Sequence, residues 1–245
     1  MPPALTVVLP AHNEAGMLEE AVGEVVNGLR ERPRSFEVVV VENGSTDDTA
    51  AIANRLAGAW AEVRTLSLPE PDYGRALRAG LLAAVGDVVV NFDVDFCDLG
   101  FLDRAVPMVE AADGPAVVVG SKRSAGSGDT RGWQRRLVTG VFSSLLRVGF
   151  GLTVSDTHGV KAMRRAAVAP LAQHCRNGAD LFDTELILRA ERAGERIGEI
   201  PVDVVEKRPA RSSIRARIPR TVKGLAALRV QLWRERLPGG KPAVM

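Results

Sequence analysis

Residues 36–49 read FEVVVVENGSTDDT. The first six of them form a near-continuous apolar, β-branched run, which is typical of a parallel strand that is covered on both faces. Gly44 then permits a tight turn, and the hydroxyl and carboxyl side chains of residues 45–47 are of the kind that caps the start of a helix. The stretch therefore predicts a buried strand that turns directly into a helix.

The same strand-then-helix pattern recurs on both sides of this stretch. Further strands are predicted at 4–9 (ALTVVL), 63–68, 87–92 (DVVVNF) and 116–120. From the spacing of Leu, Val and Ala, helices are predicted at 15–32, 46–59, 74–85 and 99–112. This alternation indicates an α/β fold with a doubly wound, mostly parallel, Rossmann-like sheet and helices on both faces.

The second half of the chain is less regular. A small, polar stretch at 124–132 (SAGSGDTRG) predicts a loop over a site. Beyond it, the pattern predicts helices at 133–150, 160–175 and 183–194, a strand at 196–205 and an amphipathic helix at 217–236. We expect one domain over residues 1–206, followed by a basic C-terminal arm over 207–245 that is not a separate domain.

The composition excludes several classes of protein. Of the 245 residues, 46% are hydrophobic and 25% are charged, which is ordinary for a globular protein and excludes a disordered one. Two cysteines, Cys97 and Cys175, are too few for a disulfide framework or a zinc finger. No basic region precedes the N-terminal apolar run, and no stretch approaches the ~20 apolar residues of a membrane span. We therefore expect a cytoplasmic protein with neither a signal peptide nor a transmembrane segment.

The charge is unevenly distributed. The net charge is +2, but residues 207–245 contain eleven Lys or Arg and one acid, Glu235, which leaves −8 for residues 1–206. Such an arm predicts an anionic partner, which could be a phosphate, a nucleic acid or a lipid surface, or else a solvated tail. The helix at 217–236 suits a membrane surface or packing against the domain. Nucleic acid is the weakest alternative, because Trp233 is the arm's single aromatic residue. The oligomeric state stays open.

Polar residues follow three of the predicted strands. They are the segments 10–14 (PAHNE), 42–47 (ENGSTD) and 93–95 (DVD). Ligands of open α/β sheets bind at the carboxyl ends of the strands, so these segments are expected to converge on one ligand. Asp93 and Asp95 offer the oxygen ligands that suit Mg²⁺ or Mn²⁺, whereas Asp98 is placed as a helix N-cap. The glycines of a dinucleotide fingerprint or a P-loop are missing.

These motifs resemble those of the family 2 glycosyltransferases with the GT-A fold, and in particular the dolichol- and polyprenyl-phosphate sugar transferases. The segments that carry the resemblance are 8–14, 42–49, 73–76, 93–95, 120–123, 133–136, 156–161, 182–185, 199–202 and 208–213. The resemblance thus covers roughly residues 4–213. It implies that residues 1–206 form a GT-A catalytic domain.

The resemblance also implies a chemistry and a set of site residues. The reaction is transfer of a hexose, with inversion, from a donor of the GDP-mannose or UDP-glucose type to a polyprenyl phosphate, with Mg²⁺ or Mn²⁺ as cofactor. The implied donor-binding residues are Pro10, His12, Glu14, Glu42, Gly44, Arg75, Asp93 and Lys122. The implied metal ligands are Asp93 and Asp95. The implied catalytic residues are Asp95, Lys122, Arg135, Glu185 and Arg208. The implied residues for the acceptor phosphate are Arg135, Thr139, Arg208 and Ser212.

The sequence departs from the family pattern at three places. Family members usually have Asp-Asp where this chain has Glu42 and Asn43, Gln where it has Cys97, and a small hydroxyl residue where it has His158. Two alternatives therefore stay open beside the lipid acceptor, which the basic arm would reach at an anionic membrane surface. One is a soluble hydroxyl acceptor, for which Asp183 or Glu185 would serve as general base. The other is a protein that binds a nucleotide sugar without catalysis.

Overall fold

A computed structural model describes residues 3–121, 152, 154, 157, 159–178, 181–202 and 214–235. The strands of this described part are β1 (Leu5–Ala11), β2 (Phe36–Asn43), β3 (Val63–Leu68), β4 (Val88–Asn91), β5 (Val117–Ser121), β6 (Lys161–Arg164) and β7 (Ile197–Pro201). The helices are α1 (Leu18–Arg30), α2 (Thr49–Ala59), α3 (Tyr73–Ala83), α4 (Leu99–Glu110), α5 (Arg165–His174), α6 (Phe182–Arg192) and α7 (Ile214–Arg234). The predicted helix at 133–150 and the predicted loop at 124–132 lie outside the described residues.

The strands form one mixed sheet in the order β3-β2-β1-β4-β6-β5-β7. The four strands β1 to β4 are parallel, β6 is antiparallel to both β4 and β5, and β7 is parallel to β5. The predicted α/β class with a mostly parallel sheet is confirmed. The carboxyl ends of β1, β2 and β4 therefore meet at one edge, as the position of the polar segments requires.

Helices cover both faces of the sheet. Helices α1, α2 and α4 pack on one face, and helices α3, α5, α6 and α7 pack on the other. The first core lies between the sheet and α1, α2 and α4, and the second core lies between the sheet and the other four helices. Successive side chains of a strand point to opposite faces, so Val7 belongs to the first core and Val8 to the second. All seven residues of β1 are buried, which explains why its sequence is apolar at every position except Thr6 rather than alternating.

The prediction of a helix over 160–175 is wrong in its first part. Residues 161–164 form β6, and α5 begins only at Arg165. Because β6 lies between β4 and β5, Ala162 faces the first core and Met163 faces the second. A run of four residues that is buried on both faces cannot be distinguished from a helix by periodicity.

Glu37 forms a buried polar network at the amino end of the sheet, far along the strands from the polar segments. Its carboxylate accepts hydrogen bonds from Thr6 Oγ1 at 2.6 Å, Arg64 Nε at 2.7 Å and the backbone N–H of Val85 at 2.9 Å. Burial acts to raise the pKa of this carboxyl, but the hydrogen bonds from Arg64, Thr6 and Val85 outweigh burial and lower the pKa below its ordinary 4.5. The ionised form of Glu37 is therefore the form that stabilises the fold.

Replacement of Glu37 by glutamine is expected to lower the free energy of unfolding at pH 7 by about 1.5–3 kcal/mol, because hydrogen bonds to a charged group are lost. Since the folded-state pKa is depressed, the stabilisation is present above the unfolded-state pKa near 4.5 and is lost as the pH falls through the folded-state value. Urea unfolding of both proteins between pH 7 and pH 3 measures this difference. Glu19→Gln, which breaks an exposed pair with Arg55, is the matched control and is expected to leave the free energy of unfolding close to the wild-type value. If the difference in the free energy of unfolding between Glu37→Gln and wild type stayed constant with pH, the ionised form of Glu37 would not be the stabilising one.

Candidate active site

The segments that follow β1 and β2 are joined directly. The two strands run in register with Ala11 opposite Glu42, so both segments leave the sheet side by side. The backbone N–H of Asn13 donates to Ser45 Oγ at 3.0 Å, and Asn13 Oδ1 accepts from the backbone N–H of Thr46 at 2.8 Å. Asn13 has a φ of +54°, a conformation that Asn tolerates better than most residues. The expected meeting of these two segments is confirmed.

Asn43 and Gly44 fix the turn after β2. The Asn43 amide donates to the Ala11 carbonyl oxygen at 2.9 Å, and its Oδ1 accepts from the backbone N–H of Asp72 at 3.1 Å. A carboxylate could not donate a hydrogen bond to Ala11. This contact explains structurally why the chain has Asn43 where family members usually have Asp. Gly44 has a φ of +63°, and a Cβ there would lie 2.8 Å from the backbone carbon of Glu70. Gly44 thus contributes a close backbone approach rather than a side chain.

The predicted donor-binding residues of this edge have the following places. Pro10 is buried at the end of β1, and the His12 ring Nδ1 lies 2.9 Å from the Asn43 carbonyl oxygen. Glu42 is buried, and its Oε1 accepts from the backbone N–H of Ser45 at 2.6 Å. The Glu14 backbone N–H donates to Thr49 Oγ1 at 2.7 Å. Arg75 is 65% exposed in the first turn of α3. Their contacts with a donor stay predictions.

Asp93 and Asp95 leave the sheet after β4 in a tight turn. The turn is closed by the backbone N–H of Phe96, which donates to the Asp93 carbonyl oxygen at 2.9 Å. The Tyr73 hydroxyl, from the first residue of α3, donates to Asp93 Oδ1 at 3.0 Å. The turn therefore presents two carboxylates beside α3, and Tyr73 contacts one of them directly.

The electrostatics of this turn favour a cation. Burial raises the pKa of Asp93, and the charges of Asp95 and Asp183 raise it further, against the opposing hydrogen bond from Tyr73 and the charge of Lys161. Burial also raises the pKa of Tyr73 well above its usual range, with the Asp93 charge as the next cause. Ionised carboxylates in this surrounding repel one another, and a divalent cation would relieve that repulsion.

A buried ion pair lies beside the two carboxylates. Lys161 is fully buried at the start of β6, and its Nζ is 2.8 Å from Asp183 Oδ1 and 2.8 Å from the Gly159 carbonyl oxygen. The approach to Asp183 is an ion pair without hydrogen-bond geometry. Asp93, Asp95 and Asp183 together with Lys161 carry a formal charge of −2, which matches one divalent ion.

The described side chains supply too few ligands to fill the coordination shell of such an ion, so a bound phosphate or water would have to complete it. Within the described residues there is no group of three or more His, Cys, Asp or Glu side chains that could hold a metal. Cys97 Sγ lies 3.5 Å from the Asp93 carbonyl oxygen, and Asp98 Oδ1 accepts from the backbone N–H of Phe101 at 2.8 Å. Asp98 is thus the N-cap of α4, as predicted. Mg²⁺ and Mn²⁺ commonly take one or two carboxylates and complete their shell with phosphates and water, which suits the pair Asp93 and Asp95.

The contacts of Glu185 do not favour the predicted role of this residue as a general base. It is fully buried, and its Oε2 accepts from the backbone N–H groups of Arg176 and Asn177 at 3.0 and 2.9 Å and from Asn177 Nδ2 at 2.7 Å. Its Oε1 accepts from Arg189 Nε at 2.9 Å and Gln231 Nε2 at 3.4 Å. A carboxylate with both oxygens engaged in this way is a structural one, and it ties α6 to α7.

Several predicted residues lie outside the described part of the chain. They are Lys122, Arg135, Thr139, His158, Arg208 and Ser212. Sequence reasoning gave no role to Tyr73 or Lys161, although each carried a signal. Tyr73 is the single tyrosine of the chain, and Lys161 is a lone charge within the apolar run VKAM at 160–163, which indicates a buried partner.

Comparison with known proteins identifies the class. Residues 6–171 match the family described as Glycosyl transferase family 2. The chain therefore belongs to this family, and the resemblance inferred from the motifs is confirmed. Glycosyltransferase AglD of Haloferax volcanii is 31% identical over 94% of this chain, which spans 37% of the length of AglD.

A second relative and a solved structure add detail. Dolichyl-phosphate beta-glucosyltransferase ALG5C of Trichomonas vaginalis is 28% identical over 81% of this chain and 63% of its own length. The structure of glucosyl-3-phosphoglycerate synthase of Mycobacterium tuberculosis with Mn²⁺, UDP-glucose and phosphoglyceric acid has a TM-score of 0.68 and 25% identity, and it covers 93% of this chain and 80% of that one. The likeness confirms the fold.

Proposed function

We propose that this protein transfers a hexose, with inversion, from a UDP-sugar to a polyprenyl phosphate. The observation that carries the proposal is the joint position of three features at one sheet edge. These are the linked segments after β1 and β2, the Asp93–Asp95 turn after β4, and the Lys161–Asp183 pair. Together they form a place for a nucleoside, a diphosphate and a reacting sugar.

Asp93 and Asp95 are the residues that would hold Mg²⁺ or Mn²⁺. When bound, such an ion stabilises the negative charge that develops on the departing nucleoside diphosphate. The protein's own part is to fix the two carboxylates, since Tyr73 restrains Asp93 and the short turn through Phe96 sets the position of Asp95. The Mn²⁺ and UDP-glucose bound by the synthase of similar fold support this assignment and the choice of a UDP-sugar.

The contacts of Asp183 and Glu185, the two acidic residues in the first turn of α6, support a phosphate acceptor. A phosphate oxygen is anionic near neutral pH and needs positioning more than deprotonation, whereas an alcohol needs a base. Glu185 accepts hydrogen bonds at both oxygens, and Asp183 is paired with Lys161. Neither acid is arranged as a free base in this structure, so the acceptor that needs no base is favoured. ALG5C, whose name gives a dolichyl-phosphate substrate, supports the same class.

The surface of α7 suits a membrane-bound acceptor. Among the side chains of α7 that the structure describes, Leu225, Leu228 and Leu232 are buried against the second core. On the opposite side Val230 and Trp233 are 47% and 60% exposed. They are accompanied there by the exposed basic residues Lys223 and Arg234, whereas Arg229 falls towards the apolar side of the helix. Each basic residue near an anionic leaflet contributes about 1 kcal/mol, and Trp is favoured at the interface. Within the described part of the chain, no helix combines the length and the hydrophobicity that a membrane span requires.

A second candidate is transfer to a soluble hydroxyl acceptor. The phosphoglyceric acid bound by the synthase of similar fold favours it. In that case Asp183 would have to release Lys161 and act as the base. The remaining alternative is a protein that binds a nucleotide sugar without catalysis. The departure from the family pattern at Asn43 counts less in its favour, because the hydrogen bond from Asn43 to Ala11 accounts for this residue.

A comparison of two acceptors in parallel reactions tests the proposal. The protein, radiolabelled UDP-glucose and Mn²⁺ are incubated with polyprenyl phosphate in vesicles that contain phosphatidylglycerol, and in parallel with 3-phosphoglycerate. We expect label in the lipid fraction, and we expect Trp233→Ser to reduce it at low but not at saturating vesicle concentration. Label found only in phosphoglycerate would replace the proposal by the second candidate. Donor binding with transfer to neither acceptor would favour the binding protein.

A further inference from the structure

We propose that Tyr73 is a positioning residue, which holds the Asp93 carboxylate in the orientation needed to bind the divalent ion. The inference rests on the metal site of the proposed function. The contact that carries it is the hydrogen bond from the Tyr73 hydroxyl to Asp93 Oδ1 at 3.0 Å. It commits one oxygen of the carboxylate to the protein and restrains the terminal torsion of Asp93, which is otherwise broad for an aspartate.

The backbone of Tyr73 is itself firmly anchored. It is the first residue of α3, directly after the N-cap Asp72, whose Oδ1 accepts from the backbone N–H of Arg75 at 2.8 Å. The backbone N–H of Asp72 donates to Asn43 Oδ1, so the start of α3 is tied to the end of β2. A hydroxyl that projects from such a support keeps a defined position, and the restraint on Asp93 is therefore a rigid one.

The ring of Tyr73 adds a second anchor. It packs against the core that α3 shares with α5 and α6. Asp93, in contrast, lies in a four-residue turn outside the last residue of β4, where the backbone alone gives its side chain little support. Tyr73 thus connects a well-packed helix to a carboxylate at the end of the sheet. Partners of this kind, which hold a metal ligand in place without touching the metal, commonly change metal affinity by about 10–100-fold when they are removed.

The position of Tyr73 also links the ion to the donor. Arg75 lies in the same first turn of α3 and is the predicted contact for the nucleotide sugar. A shift of this turn would therefore move a donor contact and a restraint on a metal ligand together. The structure thus gives the sole tyrosine of the chain a role at the meeting point of the two ligands.

The test is Tyr73→Phe, which removes one oxygen atom and keeps the ring. We measure Mn²⁺ binding by the electron paramagnetic resonance signal of the free ion, with and without UDP. We also measure the Mn²⁺ dependence of UDP-glucose consumption. We expect the dissociation constant for Mn²⁺ to rise about 10–100-fold. The rate at saturating Mn²⁺ should recover to near the wild-type value, because the ligand itself is still present.

The control is Thr6→Val, which removes a buried hydroxyl at the opposite end of the sheet. It is expected to lower the melting temperature and to leave Mn²⁺ affinity unchanged, so that a loss of stability alone cannot imitate the effect. Equal Mn²⁺ affinity of Tyr73→Phe and wild type would overturn the role of Tyr73 while leaving the metal site intact. If wild-type protein bound no Mn²⁺ even with UDP, the proposed metal site would fail, and the role of Tyr73 with it.

Discussion

Replacement of Asp95 by alanine is expected to slow sugar transfer by about 10²–10³-fold, the size of effect seen when one group that stabilises developing charge is lost. Asp95 is one of two carboxylates in the turn after β4, and the described residues provide no third acidic, His or Cys ligand that could compensate. The variant should also require more Mn²⁺ for half-maximal rate. Consumption of UDP-glucose under saturating Mn²⁺ measures the first quantity, and a metal titration measures the second.

The matched control for this variant is Asp98→Ala, on the same loop. Asp98 caps α4 through the backbone N–H of Phe101, so its loss is expected to cost about 1 kcal/mol of stability. Its rate at saturating Mn²⁺ should stay within a few-fold of wild type. Wild-type consumption of the donor by Asp95→Ala would exclude the metal role of this residue, and an equal loss in Asp98→Ala would show that the loop alone is responsible.

Replacement of Lys161 by methionine is expected to lower the free energy of unfolding by about 3–5 kcal/mol. Methionine is close to lysine in size, so little packing is lost. The cost arises because Asp183 is buried and would keep a charge without its partner, beside the like charges of Asp93 and Asp95. Urea unfolding monitored by tryptophan fluorescence gives the measurement.

A second substitution separates charge from packing. In the double variant Lys161→Met with Asp183→Asn, the unpaired charge is removed, and we expect recovery of about 2 kcal/mol relative to Lys161→Met alone. The comparison variant Arg55→Met breaks the exposed pair with Glu19 and is expected to leave the free energy of unfolding close to the wild-type value. A double variant no more stable than Lys161→Met would show that the destabilisation comes from packing and not from the uncompensated carboxylate.

The regular part of the fold could be predicted from local sequence. The mostly apolar run at 36–41 predicts β2 (Phe36–Asn43) and the run at 116–120 predicts β5 (Val117–Ser121), because strands buried on both faces are near-continuously apolar. Strand β6 was missed because its place between β4 and β5 is set by tertiary packing, and four residues carry no decisive period.

The candidate site could be predicted in outline but not in its contacts. The carboxyl edge of a parallel sheet follows from topology, so the polar segments after β1, β2 and β4 were located correctly. The pairs Tyr73–Asp93 and Lys161–Asp183 join residues distant in sequence, and no local pattern reveals them. Glu185 lies in the first turn of a helix, where an acid can face either a site or the interior, and its five hydrogen-bond donors are visible only in the folded chain.

Thermal unfolding with UDP-glucose, in the presence and absence of Mn²⁺, tests the central claim most directly. A donor at about 100 times its dissociation constant adds about 2.7 kcal/mol, which for a chain of this size corresponds to roughly 5–10 °C in the melting temperature. We expect that shift with UDP-glucose and Mn²⁺ together, a much smaller one with either alone, and a much smaller one in Asp95→Ala at the same Mn²⁺ concentration. No shift with UDP-glucose, GDP-mannose or ADP- and dTDP-sugars, whatever the metal, would contradict the assignment of this sheet edge as a metal-dependent nucleotide-sugar site.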